Sequence, residues 1–142
     1  MLAELQRAMT FPELKQNRLG WIPKDAEVSR KGDLLYFVGC LPYLDVIMEK
    51  VSSNSVAIGQ SVIRILNKAG VTPAVMPNER CCGHDLLWTG EVETFSKLAK
   101  LNVEEIAKTG AKTVLMSCPE GYRMLKLDYA DLFGQLPFEV VH

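Results

Sequence analysis

The sequence predicts an α/β fold: a three-layer sandwich around a four-stranded parallel sheet, in β-α-β-α-β-α-β order, with an N-terminal extension. Three observations predict it. Short apolar runs without alternation read as strands buried on both faces. Stretches with apolar residues at the 3.6-residue helical period separate them. The connections are long enough for right-handed crossovers between parallel neighbours.

Residues 1–32 read as an extension or linker, and residues 33–142 as the cysteine-rich domain that carries the sheet. In the extension, Leu2, Leu5 and Met9 can share one face of a short helix, before Pro12, Gly20 and Pro23 interrupt any regular pattern. Trp21 and Ile22 are expected to pack on the body of the protein. Asp33 to Cys40 is the first strand, and Leu41-Pro42 stops it. Asn54 or Ser55 caps a helix with Ile58, Val62, Ile65, Leu66 and Ala69 on its apolar face, ended by Gly70. Thr72 to Met76 is a second strand closed by Pro77. A helix from about Glu91 to Lys108 turns Phe95, Ala99, Val103, Ile106 and Ala107 inward and ends at Gly110. Lys112 to Cys118 is the third strand. Pro119 opens a third helix, to about Leu132, with Met124, Leu125, Leu127 and Tyr129 as apolar contacts. Phe138 to His142 is the fourth strand, and a chain ending there fits a piece of a longer protein.

Bulk properties narrow the function. The chain has 142 residues, 48% of them hydrophobic and 23% charged, an ordinary globular composition. A net charge of -1, from 16 basic and 17 acidic residues, argues against a nucleic-acid-binding face. No run is apolar for long enough to span a membrane directly, and the polar start does not suit a signal peptide. Four cysteines in such a chain point to a reducing, cytoplasmic setting and to metal or redox chemistry rather than a disulfide scaffold.

The cysteines share one kind of position. Cys40 ends the first predicted strand, Cys81 and Cys82 follow the second, and Cys118 ends the third. Ligands of open parallel sheets bind beyond the carboxyl ends of the strands, so these thiols are expected at one site. Structural zinc ligands usually come in Cys-x2–4-Cys pairs, and none is present. Adjacent cysteines diverge, which suits two metal atoms of one cluster better than one ion. Zinc, a strained vicinal disulfide and four unrelated small hydrophobes near turns stay open as alternatives.

Leu35-Tyr36-Phe37-Val38-Gly39-Cys40, Arg80-Cys81-Cys82-Gly83 and Ser117-Cys118-Pro119-Glu120 together resemble the cysteine-rich CCG domain of heterodisulfide reductase catalytic subunits. The likeness runs from about Asp33 to His142 and is greatest to the membrane-bound type and its sulfite-reduction-associated relatives. It implies an iron–sulfur cluster, [4Fe-4S] of non-cubane type, with Cys40, Cys81, Cys82 and Cys118 as metal ligands and Gly83 in the binding loop. One motif departs from the family. Its last element is Cys-x-x-Cys, and this chain has Gly121 at the second cysteine. Four thiols leave open a conventional four-thiolate cluster, a weaker one, or none in the isolated domain.

The resemblance also implies a function. The domain would belong to a heterodisulfide-reductase-type oxidoreductase, passing electrons to or from a thiol/disulfide couple, as a subunit or fragment rather than a complete enzyme. Its partners would be a ferredoxin-type iron–sulfur module of the parent protein, cytochrome or flavoprotein electron-transfer subunits, and a small thiol or disulfide. Partner subunits could bring it to the inner face of the membrane. His84 is the candidate proton donor, able to bond a cluster sulfur or protonate a leaving thiolate, with a backbone-bonded loop histidine as the plainer reading. Arg80 reads either as a charge balance for the thiolates or as a solvated surface residue. Leu86, Leu87 and Trp88 read as core or lid packing. The rival functions are a scaffold domain that lost its cluster with the fifth cysteine, and a dithiol redox protein using Cys81 and Cys82.

Overall fold

The computed structural model describes residues 2–14, 16–51 and 53–142. Its sheet has three strands, not four: β1 (Leu34–Phe37), β2 (Thr113–Met116) and β3 (Glu139–Val141), all parallel and in that spatial order. The α/β layering holds, and the predicted strand at Thr72 to Met76 is what fails. Ala74 N–H donates to Leu34 O at 2.8 Å and Ala74 O accepts from Tyr36 N–H at 3.0 Å, so the segment lies beside β1 as an isolated bridge. Pro73 and Pro77 are the reason. Neither has an N–H to give a ladder, which leaves three residues between them.

The predicted helical stretches have their expected places, and two short helices, after Cys40 and after Gly83, are unexpected. Immediately after Cys40 the chain forms α2 (Leu41–Ile47), with Pro42 in its first turn, where a missing N–H is harmless. α1 (Leu2–Ala8) precedes the sheet. α3 (Ser55–Lys68) begins under Asp45 of α2, whose carboxylate accepts from the Ser55 N–H and, at 3.1 Å, from the Val56 N–H. That side chain, rather than Asn54 or Ser55, satisfies the helix start. A short α4 (His84–Trp88) and a long α5 (Val92–Thr109) follow the double cysteine. The last helical stretch is α6 (Pro119–Arg123), a π-type turn over Met124–Asp128, and α7 (Tyr129–Phe133).

Alternate residues of β1 serve two cores, as expected for a strand covered on both faces. Leu35 and Phe37 join Val114, Met116, Phe95, Leu98 and Tyr129 on the side of α1 and α5. Tyr36 and Val38 join Ile63 and Trp21 on the side of α3. Trp21 packs edge-on against Tyr36 with centroids 6.0 Å apart, the expected docking of the N-terminal segment.

The helical period misplaces several side chains. Ile58 and Ile65 are exposed, and α3 instead buries Gly59 and Ile63. Ala69 and Ala107 are exposed, while Leu98 and Asn102 of α5 are buried. Leu127 is turned outward within the π-type turn, which shifts the register by which Met124, Leu125 and Tyr129 stay buried. Among the described residues, no helix is long and apolar enough to cross a membrane.

Candidate functional site

Cys40, Cys81, Cys82 and Cys118 line one cavity of about 300 Å³ beyond the carboxyl ends of β1 and β2. They arrive from three separate loops. After β1, Gly39 turns the chain at φ 64° and Cys40 caps α2, its carbonyl accepting from Tyr43 N–H at 2.9 Å and Leu44 N–H at 3.1 Å. After β2, Cys118 caps α6 and its Sγ accepts from the Gly121 N–H at 3.4 Å. All four thiols are free, which sets aside the vicinal disulfide.

Side-chain bonds to the backbone hold the double cysteine. Asn102 Nδ2 donates to Cys81 O at 2.9 Å, and Tyr129 Oη donates to Cys82 O at 3.0 Å. Asn102 also donates to Tyr129 Oη at 3.1 Å and accepts from Arg80 N–H at 3.0 Å. The Cys81 N–H points at Met9 Sδ, 3.3 Å away. Gly83 is required twice over. Its φ of 87° disfavours any side chain, and a Cβ would lie 2.8 Å from the Phe95 ring.

His84 begins α4 and lines the cavity beside Asp85. Its ring stacks on Trp88, with centroids 5.4 Å apart. Trp88 itself is 65% exposed and is not core, although Leu86 is. Arg80 matches neither expectation. It is buried, and its guanidinium is spent on the carbonyls of Met9 and Phe11.

Cys40, Cys81 and Cys118 resist ionisation as they stand. The contact with Cys81 and then burial push the Cys40 thiol far up. For Cys81, the hydrogen bond with Cys40 works downward but is outweighed by Cys82 and burial. Burial, against the Gly121 N–H, pushes Cys118 up to about 11, and Glu120 adds to the rise. Cys118 Sγ donates to Glu120 Oε2 at 3.2 Å. Four thiols around a void are a donor set that a multinuclear cation would bind as thiolates, releasing protons. Among the described residues, no three His, Cys, Asp or Glu side chains gather as they would around a single metal ion. The thiols surround a space rather than a point, and in number and type they fit an iron–sulfur cluster.

The cysteine-rich CCG domain model matches residues 34–126, about two thirds of the sequence, and spans all four cysteines. The chain belongs to the CCG family. This CCG domain is 38% identical over 133 residues to a subunit of the dihydromethanophenazine:CoB–CoM heterodisulfide reductase of Methanosarcina barkeri, a match covering 90% of the chain and 30% of the relative. It is 28% identical over 160 residues to the EtfAB:quinone oxidoreductase of Syntrophomonas wolfei, covering all of the chain and 21% of the relative. An uncharacterised iron–sulfur protein of Methanococcus maripaludis is 31% identical over 103 residues, covering 72% of the chain and 19% of that protein. The chain thus spans less than a third of the length of these relatives. No solved structure matches.

Gly121, where the family's second Cys-x-x-Cys thiol would sit, is buried against β2. A Cβ there would lie 2.5 Å from Met116 Cε, and 3.6 Å from Cys118 Cβ. The glycine therefore has a packing role in this CCG domain. Asn102, Tyr129 and Glu79 do not stand out as site residues in the sequence. Asn102 could have done: it is a polar residue one turn from both Leu98 and Ile106 on the buried face of α5.

Proposed function

We propose that the cavity binds an iron–sulfur cluster through Cys40, Cys81, Cys82 and Cys118, within an oxidoreductase of heterodisulfide-reductase type. The observation that carries this is the meeting of four thiols, from three separate loops, around one void. The relatives are named as heterodisulfide reductase and iron–sulfur proteins, which supports the same chemistry. Such a cluster, when bound, supplies single electrons to a two-electron thiol/disulfide couple.

The chain's own residues do the rest. Asn102 and Tyr129 hold the Cys81 and Cys82 carbonyls, so these thiols are presented without conformational search. Cys118 and Glu120 share a proton that leaves when the thiol ionises. His84 stands at the rim, where it can deliver a proton to a released thiolate. Leu2 and Leu44 add apolar surface to the wall of the cavity. A simple dithiol mechanism fits less well, because Cys81 and Cys82 are only 2% and 6% exposed. The partners in this reading are a ferredoxin-type module of the parent protein, a cytochrome or flavoprotein, and a small disulfide.

Anaerobic reconstitution with iron and sulfide tests it. About four irons per chain, lost on replacing Cys40 or Cys118 by serine, is the expected result. A wild-type chain that retains no iron and shows four free thiols on alkylation after denaturation would reject the proposal in favour of a scaffold.

A further inference from the structure

We propose that Arg18 and Glu79 are positioning residues of the cysteine site: their buried ion pair fastens the turn before Cys40 to the turn before Cys81 and sets how those two thiols stand. For its purpose the proposal rests on the cluster reading; for its geometry it rests on the hydrogen bonds alone.

Arg18 Nη2 and Glu79 Oε1 are 2.9 Å apart, and both side chains are 2% exposed. The pair encloses one peptide unit after another at the end of β1. Glu79 Oε1 accepts from Gly39 N–H at 2.6 Å, and Oε2 accepts from Val38 N–H at 3.3 Å. Arg18 Nη2 donates to Gly39 O at 2.6 Å. Gly39 thus has both its N–H and its carbonyl engaged by the pair, and Cys40 is the next residue. Glu79 lies two residues before Cys81.

A second tie runs alongside. Gln16 Nε2 donates to Glu79 O at 3.1 Å, and Gln16 Oε1 accepts from Tyr43 Oη at 2.5 Å. Tyr43 lies in the first turn of α2, the helix that Cys40 caps, and the Arg18 guanidinium sits 4.9 Å from its ring centre. The N-terminal segment therefore joins the Cys40 and Cys81 turns, although residues 16 and 18 fall outside the span 34–126 matched by the family.

Stability alone is a poor reason for such a pair. Burying two opposite charges costs desolvation that well-packed apolar residues of the same size avoid. Arg18 is left with two buried nitrogens, Nε and Nη1, that find no acceptor. What the pair provides, and apolar residues would not, is direction: a donor and acceptors aimed at the successive peptide groups on either side of Gly39.

The test is cross-linking of the apo full chain with diamide, below its melting temperature, with the bridges mapped by peptide mass spectrometry. In wild type, Cys40–Cys81 is the expected bridge across loops. Arg18→Met should form it at least fivefold more slowly. Arg18→Lys keeps the charge but not the fork, and should be at least twofold slower; it decides the matter if Arg18→Met does not fold. A core variant on the far strand β3, Val140→Ala or Val140→Thr, whichever matches the loss in melting temperature, should cross-link at the wild-type rate. Equal rates in every variant, or no Cys40–Cys81 bridge in wild type, would overturn the proposal. Iron uptake measured in parallel keeps the two ideas apart, because a wild-type chain without iron sinks the cluster reading while the cross-linking comparison still decides this one.

Discussion

Met116 Cε fills the space into which a side chain at Gly121 would project, 2.5 Å from the position of a Cβ there. The end of β2 and the first turn of α6 are thus packed for glycine. Gly121→Cys alone should lose about 1–3 kcal/mol by overpacking and retain no more iron than wild type. Combining it with Met116→Ala should recover part of the stability and change the electronic spectrum of the reconstituted protein. A stable single variant with increased iron retention would show that position 121 already faces the cavity.

Gly83→Ala should be more damaging than its size suggests. The residue has φ 87°, and its new Cβ would meet Phe95 at 2.8 Å and Leu98 at 3.3 Å. Left-handed strain of about 1–2 kcal/mol adds to displaced core side chains. Urea denaturation is the measurement; a midpoint within error of wild type would contradict the packing described for the double-cysteine loop.

Tyr129→Phe keeps the ring against Phe95, with centroids now 5.8 Å apart, but removes the donor to Cys82 O. An unmet buried carbonyl costs about 1–3 kcal/mol. The cluster in this variant should also be stripped faster by an iron chelator than in a core variant of equal stability. Identical stripping rates would reduce Tyr129 to a packing residue.

The apo protein should show strongly pH-dependent chemistry at Cys118. Burial raises its thiol to about 11, so thiolate is scarce at neutral pH and grows as pH rises toward that value. Alkylation by iodoacetamide should therefore accelerate about tenfold per pH unit between 7 and 10. Glu120→Gln removes a neighbouring negative charge that disfavours thiolate, and should shift the profile to lower pH. A plateau near pH 8 would argue against the half-buried setting of Cys118 beside Glu120.

The sequence by itself determined which thiols meet. Strands ending at Cys40 and Cys118, with Cys81 and Cys82 following a segment that lies beside the first, place all four thiols at one edge of a parallel sheet, because that topology puts strand ends on the same side. It also determined the long helices, through their period and the glycines after them. Tertiary structure decided what local pattern cannot carry. Whether Thr72 to Met76 is a strand depends on how many N–H groups remain between two prolines to pair with β1. Which face of α3 is buried depends on the approach of Trp21 and the end of β1, so Ile58 and Ile65 stay outside. Arg80 reads as a charge balance for the thiolates or as a surface residue until the carbonyls of Met9 and Phe11 are seen around it. Glu79 and Arg18 are distant charges in the chain, and only folding brings them to the two peptide groups that flank Gly39. Hydrogen-bond partners far apart in sequence leave no periodic trace, which is why the cysteines were legible and the residues that hold them were not.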